Sequence, residues 1–113
     1  MVTIEQLQQA LNLEVFTMEN GSAQLTGAYT SDLLSDVMAH AEEGGALITI
    51  QGHKNSVAVA SLVGLNAIVL CNGRRPADDM VEAAKGESIA ILGSQEDQFT
   101  VSYKLASLLG LCS

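Results

Sequence analysis

The sequence predicts an α/β domain in which layered βαβ units surround a mainly parallel sheet. Continuous apolar runs occupy 46–50, 67–71 and 88–92, and their length is typical of buried strands. Each run is followed by a loop and then by a segment of helical character, an alternation that places helices on the faces of a parallel sheet. At 113 residues the chain has the commonest size of one domain, so we expect 1–113 to form a single unit.

The first half of the chain predicts two helices and two short strands. Thr3 and Gln6 have the spacing of a capping box, and the apolar residues that follow recur at helical intervals. The predicted elements, in chain order, are a helix over 3–11, strands over 13–16 and 24–29 separated by turn residues 19–22, and a helix that follows Thr30, Ser31 and Asp32 and ends at Gly44 and Gly45.

The second half predicts three strands that alternate with three helices. A glycine just beyond a helical segment is a common helix terminator, and each predicted helix has one. The predicted elements are strand 46–50, helix 57–62 closed by Gly64, strand 67–71, helix 77–85 closed by Gly86, strand 88–92 and helix 97–109 closed by Gly110.

Charge and cysteine content narrow the function classes. The net charge of −8 argues against binding to nucleic acid or to an anionic membrane, because both need dense Lys and Arg. No apolar stretch approaches the roughly 20 residues of a membrane span. Cys71 and Cys112 form no CxxC motif, which predicts reduced thiols and a cytoplasmic location. We expect Cys71 to be a buried apolar residue rather than a nucleophile, and we expect no cofactor or metal.

Basic residues mark one edge of the predicted sheet. Ligands of open parallel sheets bind beyond the carboxyl ends of the strands, and the loops at 52–55, 72–75 and 93–95 reach that edge. Two of these loops hold Lys54, Arg74 and Arg75, three of only five basic residues in the chain. Together with helix N-termini they predict an anion site. The candidate ligand-binding residues are Gly52, His53, Lys54, Asn55, Asn72, Gly73, Arg74, Tyr29, Ser31 and Asp32.

The same residues have other interpretations. The basic side chains could be solvated residues that balance nearby acidic ones (Asp78, Asp79 and Glu82), or they could face a partner protein. His53 could be a general base, a ligand donor or a helix cap. Ser31 and Asp32 could cap a helix or, with Tyr29, form a polar wall of the site.

The loop at 52–56 contains one glycine and one lysine but not the G-x-x-x-x-G-K-[ST] pattern of a phosphate loop. We therefore expect no kinase or ATP-hydrolysing site. A small enzyme that uses His53 with Asp32 or Ser31 is a further hypothesis, although the sequence shows no set of nucleophile, base and orienting residue.

The runs 25–38, 48–53 and 70–74 resemble DRTGG-domain proteins, which are similar to the N-terminal domain of bacterial HPr kinase/phosphorylase. When these runs are matched to the family, His53 and Lys54 stand where it has Asp-Arg, and residues 71–73 stand where it has Thr-Gly-Gly. The resemblance covers nearly the whole chain. It implies an HPr kinase N-terminal-domain-like fold and a regulatory or oligomerisation module that lacks the catalytic phosphate loop.

From the residues and the resemblance together we expect a stand-alone, non-catalytic regulatory domain. It would form a homodimer, partly through the apolar face of 57–65, and would bind a small anionic or nucleotide-like ligand at the carboxyl edge of its parallel strands. The alternative is a protein-interaction subunit that regulates a kinase or redox enzyme in trans.

Overall fold

The computed structural model describes residues 1–112, which form seven strands and five helices. None of these helices combines the length and the apolar character needed to cross a membrane. In chain order the elements are β1 (Val2–Thr3), α1 (Ile4–Ala10), β2 (Glu14–Thr17), β3 (Gln24–Leu25), β4 (Ala28–Thr30), α2 (Leu34–His40), β5 (Ala46–Thr49), α3 (Lys54–Val63), β6 (Ala67–Leu70), α4 (Asp78–Glu87), β7 (Ala90–Gly93) and α5 (Gln98–Leu108).

The central sheet has five strands in the order β2-β7-β6-β5-β4. The strands from β4 to β7 are parallel, and β2 joins antiparallel to β7 at one edge. A separate antiparallel pair is formed by β1 and β3. The mainly parallel sheet and its layered βαβ units confirm the predicted fold class.

Helices cover both faces of the sheet. One face packs against α2, α3 and α4 through side chains such as Leu47, Ile68 and Ile91. The other packs against α1 and α5 through Ile48 and residues that alternate with the first set. Each fully buried apolar side chain stabilises the fold by about 1.5–3 kcal/mol, which explains why these strands are continuous apolar runs rather than alternating ones.

Several element boundaries differ from the predicted ones. The predicted strand 24–29 is two strands, because β3 pairs with β1 whereas β4 pairs with β5. Helix α3 begins at Lys54 instead of residue 57, and α2 ends at His40, before Gly44. Gly86 does not close α4, which continues to Glu87. A helix tolerates an internal glycine at a cost of about 1 kcal/mol relative to alanine.

Two predicted helix ends are confirmed. Thr3 is the N-cap of α1, and its side chain and that of Gln6 form the reciprocal pair of bonds of a capping box. Gly64 closes α3 with a φ of 88°, a left-handed conformation in which a Cβ atom would be strained.

Candidate functional site

The strand order places the carboxyl ends of four parallel strands side by side. They end at Thr30 in β4, Thr49 in β5, Leu70 in β6 and Gly93 in β7. Of the predicted site residues, Tyr29 lies in β4, and Lys54 and Asn55 lie in the first turn of α3. The others lie in the loops that follow β4, β5 and β6. This carboxyl edge is where ligands bind in open parallel sheets.

Gly52 permits close contact between two loops of this edge. Its carbonyl oxygen accepts a hydrogen bond from the Ala77 N–H at 3.0 Å. A Cβ atom at this position would lie 2.8 Å from the carbonyl oxygen of Arg75. The absence of a side chain therefore lets the loop after β5 pack directly against the loop after β6.

Asn72 and Gly73 connect the loop after β6 to the loop after β7. Their N–H groups donate to the carbonyl oxygens of Glu96 and Ser94, each at 2.9 Å. Both residues have positive φ angles, 60° and 66°, and asparagine and glycine are the types that adopt this conformation most readily. The loops at this edge are thus held to one another by main-chain hydrogen bonds.

The Asp32 carboxylate is held at this edge by three hydrogen-bond donors. Its Oδ1 atom accepts from the Thr49 hydroxyl at 2.9 Å, from the Ile50 N–H at 2.9 Å and from Gln98 Nε2 at 3.0 Å. Thr49 is fully buried. Asp32 Oδ2 has no hydrogen-bond partner within residues 1–112 and is not fully buried.

The loop after β5 adds hydrogen bonds to the main chain of Asp32 and to its donor Thr49. Gln51 Nε2 donates to the main-chain oxygen of Asp32 at 3.0 Å, and the Gln51 N–H donates to the Thr49 hydroxyl at 3.2 Å. The fully buried Ser56 hydroxyl donates to the Gln51 carbonyl oxygen at 2.8 Å. The backbone around Asp32 is therefore fixed as well as its side chain.

Neither Ser31 nor Asp32 caps α2, contrary to one of the two interpretations of these residues. The N-cap is Leu33, without a side-chain cap. The Ser31 hydroxyl accepts from the Leu33 N–H at 3.1 Å. Asp32 instead turns its carboxylate to Thr49, Ile50 and Gln98.

His53 is the N-cap of α3. Its Nδ1 atom accepts from the Asn55 N–H at 3.1 Å, and its side chain is exposed. Within residues 1–112 it forms no hydrogen bond with Asp32 or Ser31, the two partners that the enzyme hypothesis required.

The three predicted basic residues differ in how firmly they are held. Arg75 donates to the Glu14 carboxylate at 3.3 Å and lies over the Phe16 ring, 5.0 Å from its centroid. Lys54 has one distant ion pair, 4.0 Å from the exposed Asp79. The Arg74 side chain is exposed and forms neither an ion pair nor a hydrogen bond with the described residues.

Tyr29 forms its side-chain contacts with α2. Its side chain packs against α2, where its hydroxyl donates to Asp36 Oδ2 at 2.9 Å and its ring stacks with His40. The hydrogen bond from Tyr29 is the main reason that the pKa of Asp36 is lowered, and the same bond raises the pKa of Tyr29. Tyr29 and His40 line a separate cavity of about 340 Å³.

Cys71 is buried at the end of β6. Burial, followed by the charges of Asp32 and Asp97, raises the pKa of its thiol to about 11. The thiol is therefore protonated and unreactive near neutral pH. Within residues 1–112, no three His, Cys, Asp or Glu side chains are arranged to hold a metal ion.

Sequence reasoning did not identify the donors that organise this edge. The sequence places Thr49 in a buried strand, and a hydroxyl residue inside an apolar run is the one signal of a polar contact there. Gln51 lies between two predicted elements and gave no signal. Gln98 gave none either, because it reaches Asp32 across 66 positions of the sequence.

No protein-family model matches the chain, and no curated protein matches it. Among solved structures, it is similar to the CBS and DRTGG domains of the regulatory region of Clostridium perfringens pyrophosphatase, in complex with the activator diadenosine tetraphosphate. The TM-score is 0.71 at 15% sequence identity. The match covers 91% of this chain and 45% of that chain, so this chain spans less than half of its neighbour. The chain therefore folds like part of a regulatory region that carries CBS and DRTGG domains.

Proposed function

We propose that the chain is a non-catalytic regulatory domain that binds a small nucleotide-like anion at the carboxyl edge of its parallel strands. The observation that carries the proposal is Arg74, an exposed guanidinium without a partner among the described residues in a chain of net charge −8. A guanidinium forms paired, charge-assisted hydrogen bonds with phosphate oxygens.

Lys54 provides a second positive charge at the same edge. Its ion pair with Asp79 is long, and both side chains are more than half exposed. Exposed pairs of this kind contribute about 0–1 kcal/mol, so a phosphate group could replace Asp79 as the partner of Lys54 at little cost.

The ligand class is supported by the structural neighbour. The regulatory region of the Clostridium perfringens pyrophosphatase was solved with diadenosine tetraphosphate, its activator. We extend to this chain the class of ligand, a nucleotide with several phosphates, as part of the proposal. The similarity to the N-terminal domain of HPr kinase/phosphorylase and a cytoplasmic location stay predictions.

Calorimetric titration with ATP and with diadenosine tetraphosphate tests the proposal. We expect binding, and we expect Arg74→Ala to weaken it at least tenfold, or about 1.4 kcal/mol. Lys85→Ala is the matched control, because it also removes one positive charge but lies in the last turn of α4. The control should bind as the unmodified chain does. No heat of binding with either nucleotide at millimolar concentration would overturn the proposal.

A second candidate function is protein interaction, and exposed aromatic residues on α5 favour it. Phe99 and Tyr103 are 77% and 50% exposed and contact each other edge to face, with ring centroids 5.7 Å apart. They are two of only four aromatic residues in the chain. Aromatic side chains are enriched in protein interfaces.

The apolar face of 57–65 does not provide the free surface that a homodimer contact would need. In the segment 57–65 the side chains of Val57, Val59 and Ala60 belong to the core of the chain itself, and Leu62 is the large apolar side chain that remains exposed. We propose that a homodimer, if formed through an apolar contact, uses Phe99 and Tyr103 instead.

A further inference from the structure

We propose that Asp32 recognises the nucleoside part of the ligand by accepting a hydrogen bond from a ribose hydroxyl at its Oδ2 atom. This inference rests on the proposed function. It adds recognition of the ribose, a group that a nucleotide has and a simple inorganic anion lacks.

The carboxylate is organised in advance of binding. Thr49, Ile50 and Gln98 all donate to Oδ1 at 2.9–3.0 Å, so the side chain cannot rotate without breaking three hydrogen bonds. The position of Oδ2 is thereby fixed. A group that is already ordered loses little conformational entropy when a ligand arrives.

Oδ2 requires a donor that the described residues do not provide. An ionised carboxylate only accepts hydrogen bonds. Asp32 is partly exposed and its Oδ2 atom is not fully buried, so a ligand can reach it. Ribose hydroxyl groups are donors, whereas a phosphate group would bring a second negative charge and would be repelled.

The charge pattern along the edge gives the ligand a direction. Asp32 follows β4 and Asp97 follows β7, whereas Lys54 and Arg74 follow β5 and β6, the two strands between them. Asp32 follows β4, and Arg74 follows β6, which is two strands away. Two strand spacings are roughly 10 Å. A nucleoside polyphosphate can bridge such a span, and a single inorganic phosphate cannot.

The competing explanation is that Asp32 only ties β4, β5 and α5 together. Asp32→Asn separates the two roles, because the amide keeps an oxygen for the three donors and replaces Oδ2 with a donor group. A purely structural role would change the melting temperature and leave the ligand preference intact. Binding is therefore measured at a temperature at which circular dichroism shows each variant folded.

The experiment compares ATP, its 2′-deoxy and 3′-deoxy analogues, and tripolyphosphate by calorimetry. In the unmodified chain we expect ATP to bind at least tenfold more tightly than tripolyphosphate, and one of the deoxy analogues to lose most of this advantage. Asp32→Asn should abolish the preference for ATP while tripolyphosphate binds equally well or better. Glu42→Gln, which removes a carboxylate beside the separate Tyr29 cavity, should leave the preference unchanged.

Thr49→Val provides a second variant that keeps the charge of Asp32. It removes one donor to Oδ1 and should weaken the binding of ATP without affecting the binding of tripolyphosphate. This variant tests the role of Asp32 even when Asp32→Asn fails to fold. Equal binding of ATP and tripolyphosphate by the unmodified chain, or a preference for ATP that survives in the folded variants, would overturn the role of Asp32 and leave the proposed anion site standing. Failure of all four compounds to bind would instead overturn the proposed function itself.

Discussion

The two cysteines of the chain lie in opposite environments. Cys71 is enclosed at the end of β6 among apolar residues of the α1 and α5 face, and Cys112 near the end of the chain is exposed. Burial is the largest of the causes that raise the pKa of Cys71 to about 11. Since the thiolate is the reactive form, the two thiols should differ strongly in their chemistry.

We predict that a thiol reagent such as DTNB modifies only Cys112 quickly in the folded chain at pH 8. About one in a thousand Cys71 thiols is ionised at that pH if its pKa is near 11, and the side chain is also inaccessible. Cys112→Ser should remove the fast phase, and unfolding in urea should restore one reactive thiol. A fast phase that persists in the folded Cys112→Ser variant would contradict the burial of Cys71.

At the scale of single residues, sequence predicted burial better than it predicted hydrogen-bond partners. A cysteine that ends an apolar run is predicted to be buried, and Cys71 is buried. Asp32 was open to several interpretations, because a carboxylate before a helix can cap that helix or turn towards a neighbouring strand. The choice depends on the Thr49 hydroxyl and on Gln98, which become neighbours of Asp32 only in the folded sheet.

At the scale of the elements, glycines have unequal roles. Gly52 lies where the loop after β5 meets the loop after β6, and a Cβ atom there would meet a main-chain oxygen. Gly86 lies inside α4, where a Cβ atom would have no neighbour within 4 Å. One position therefore requires glycine for contact between loops, and the other does not.

We predict that Gly52→Ala destabilises the chain by about 1–3 kcal/mol, because the added methyl group forces two packed loops apart. Gly86→Ala is the matched substitution and should stabilise the chain by about 0.5–1 kcal/mol, since alanine favours the helix and restricts the unfolded chain. Urea denaturation measures both free energies of unfolding. Equal stabilities of the two variants would contradict the close contact at Gly52.

Element identity followed from the sequence more readily than element boundaries. The apolar runs at 46–50 and 67–71 were recognisable because strands covered on both faces need no polar alternation. The sequence predicts the start of α3 three residues late, since the histidine that caps this helix is not among the strongest capping types. The break between β3 and β4 depends on which partner strand each one finds, and no local pattern records that.

At the scale of the whole molecule, strand order and the path of α5 could not be predicted. Helix α5 follows β7 and crosses the sheet to reach β4, where Ser102 and Thr30 contact through their hydroxyl groups at 2.7 Å. Such contacts join residues that are far apart in sequence, and the local periodicity of a helix does not specify them. The candidate site depends on this crossing, because Gln98 in the first turn of α5 helps to hold Asp32.

The exposed face of α5 leads to a prediction about self-association. If Phe99 and Tyr103 form the contact of a homodimer, sedimentation velocity should show a dimer whose fraction rises with concentration. Phe99→Ala and Tyr103→Ala should each shift the chain towards monomer, and Leu62→Ala, which removes another exposed apolar side chain, should not. A monomer at every concentration would exclude the dimer, and a dimer unaffected by either aromatic substitution would place the contact elsewhere.

The pairing of β2 with β7 determines when the central sheet can be completed during translation. Glu14 lies opposite Gly93 in this pair, so about eighty residues of chain separate the two. At a synthesis rate of about 5–20 residues per second, the early strand waits roughly 4–16 s for its partner to be made. During that time β2 has no neighbour in the central sheet, and the nascent chain can complete this sheet only after β7 has been made.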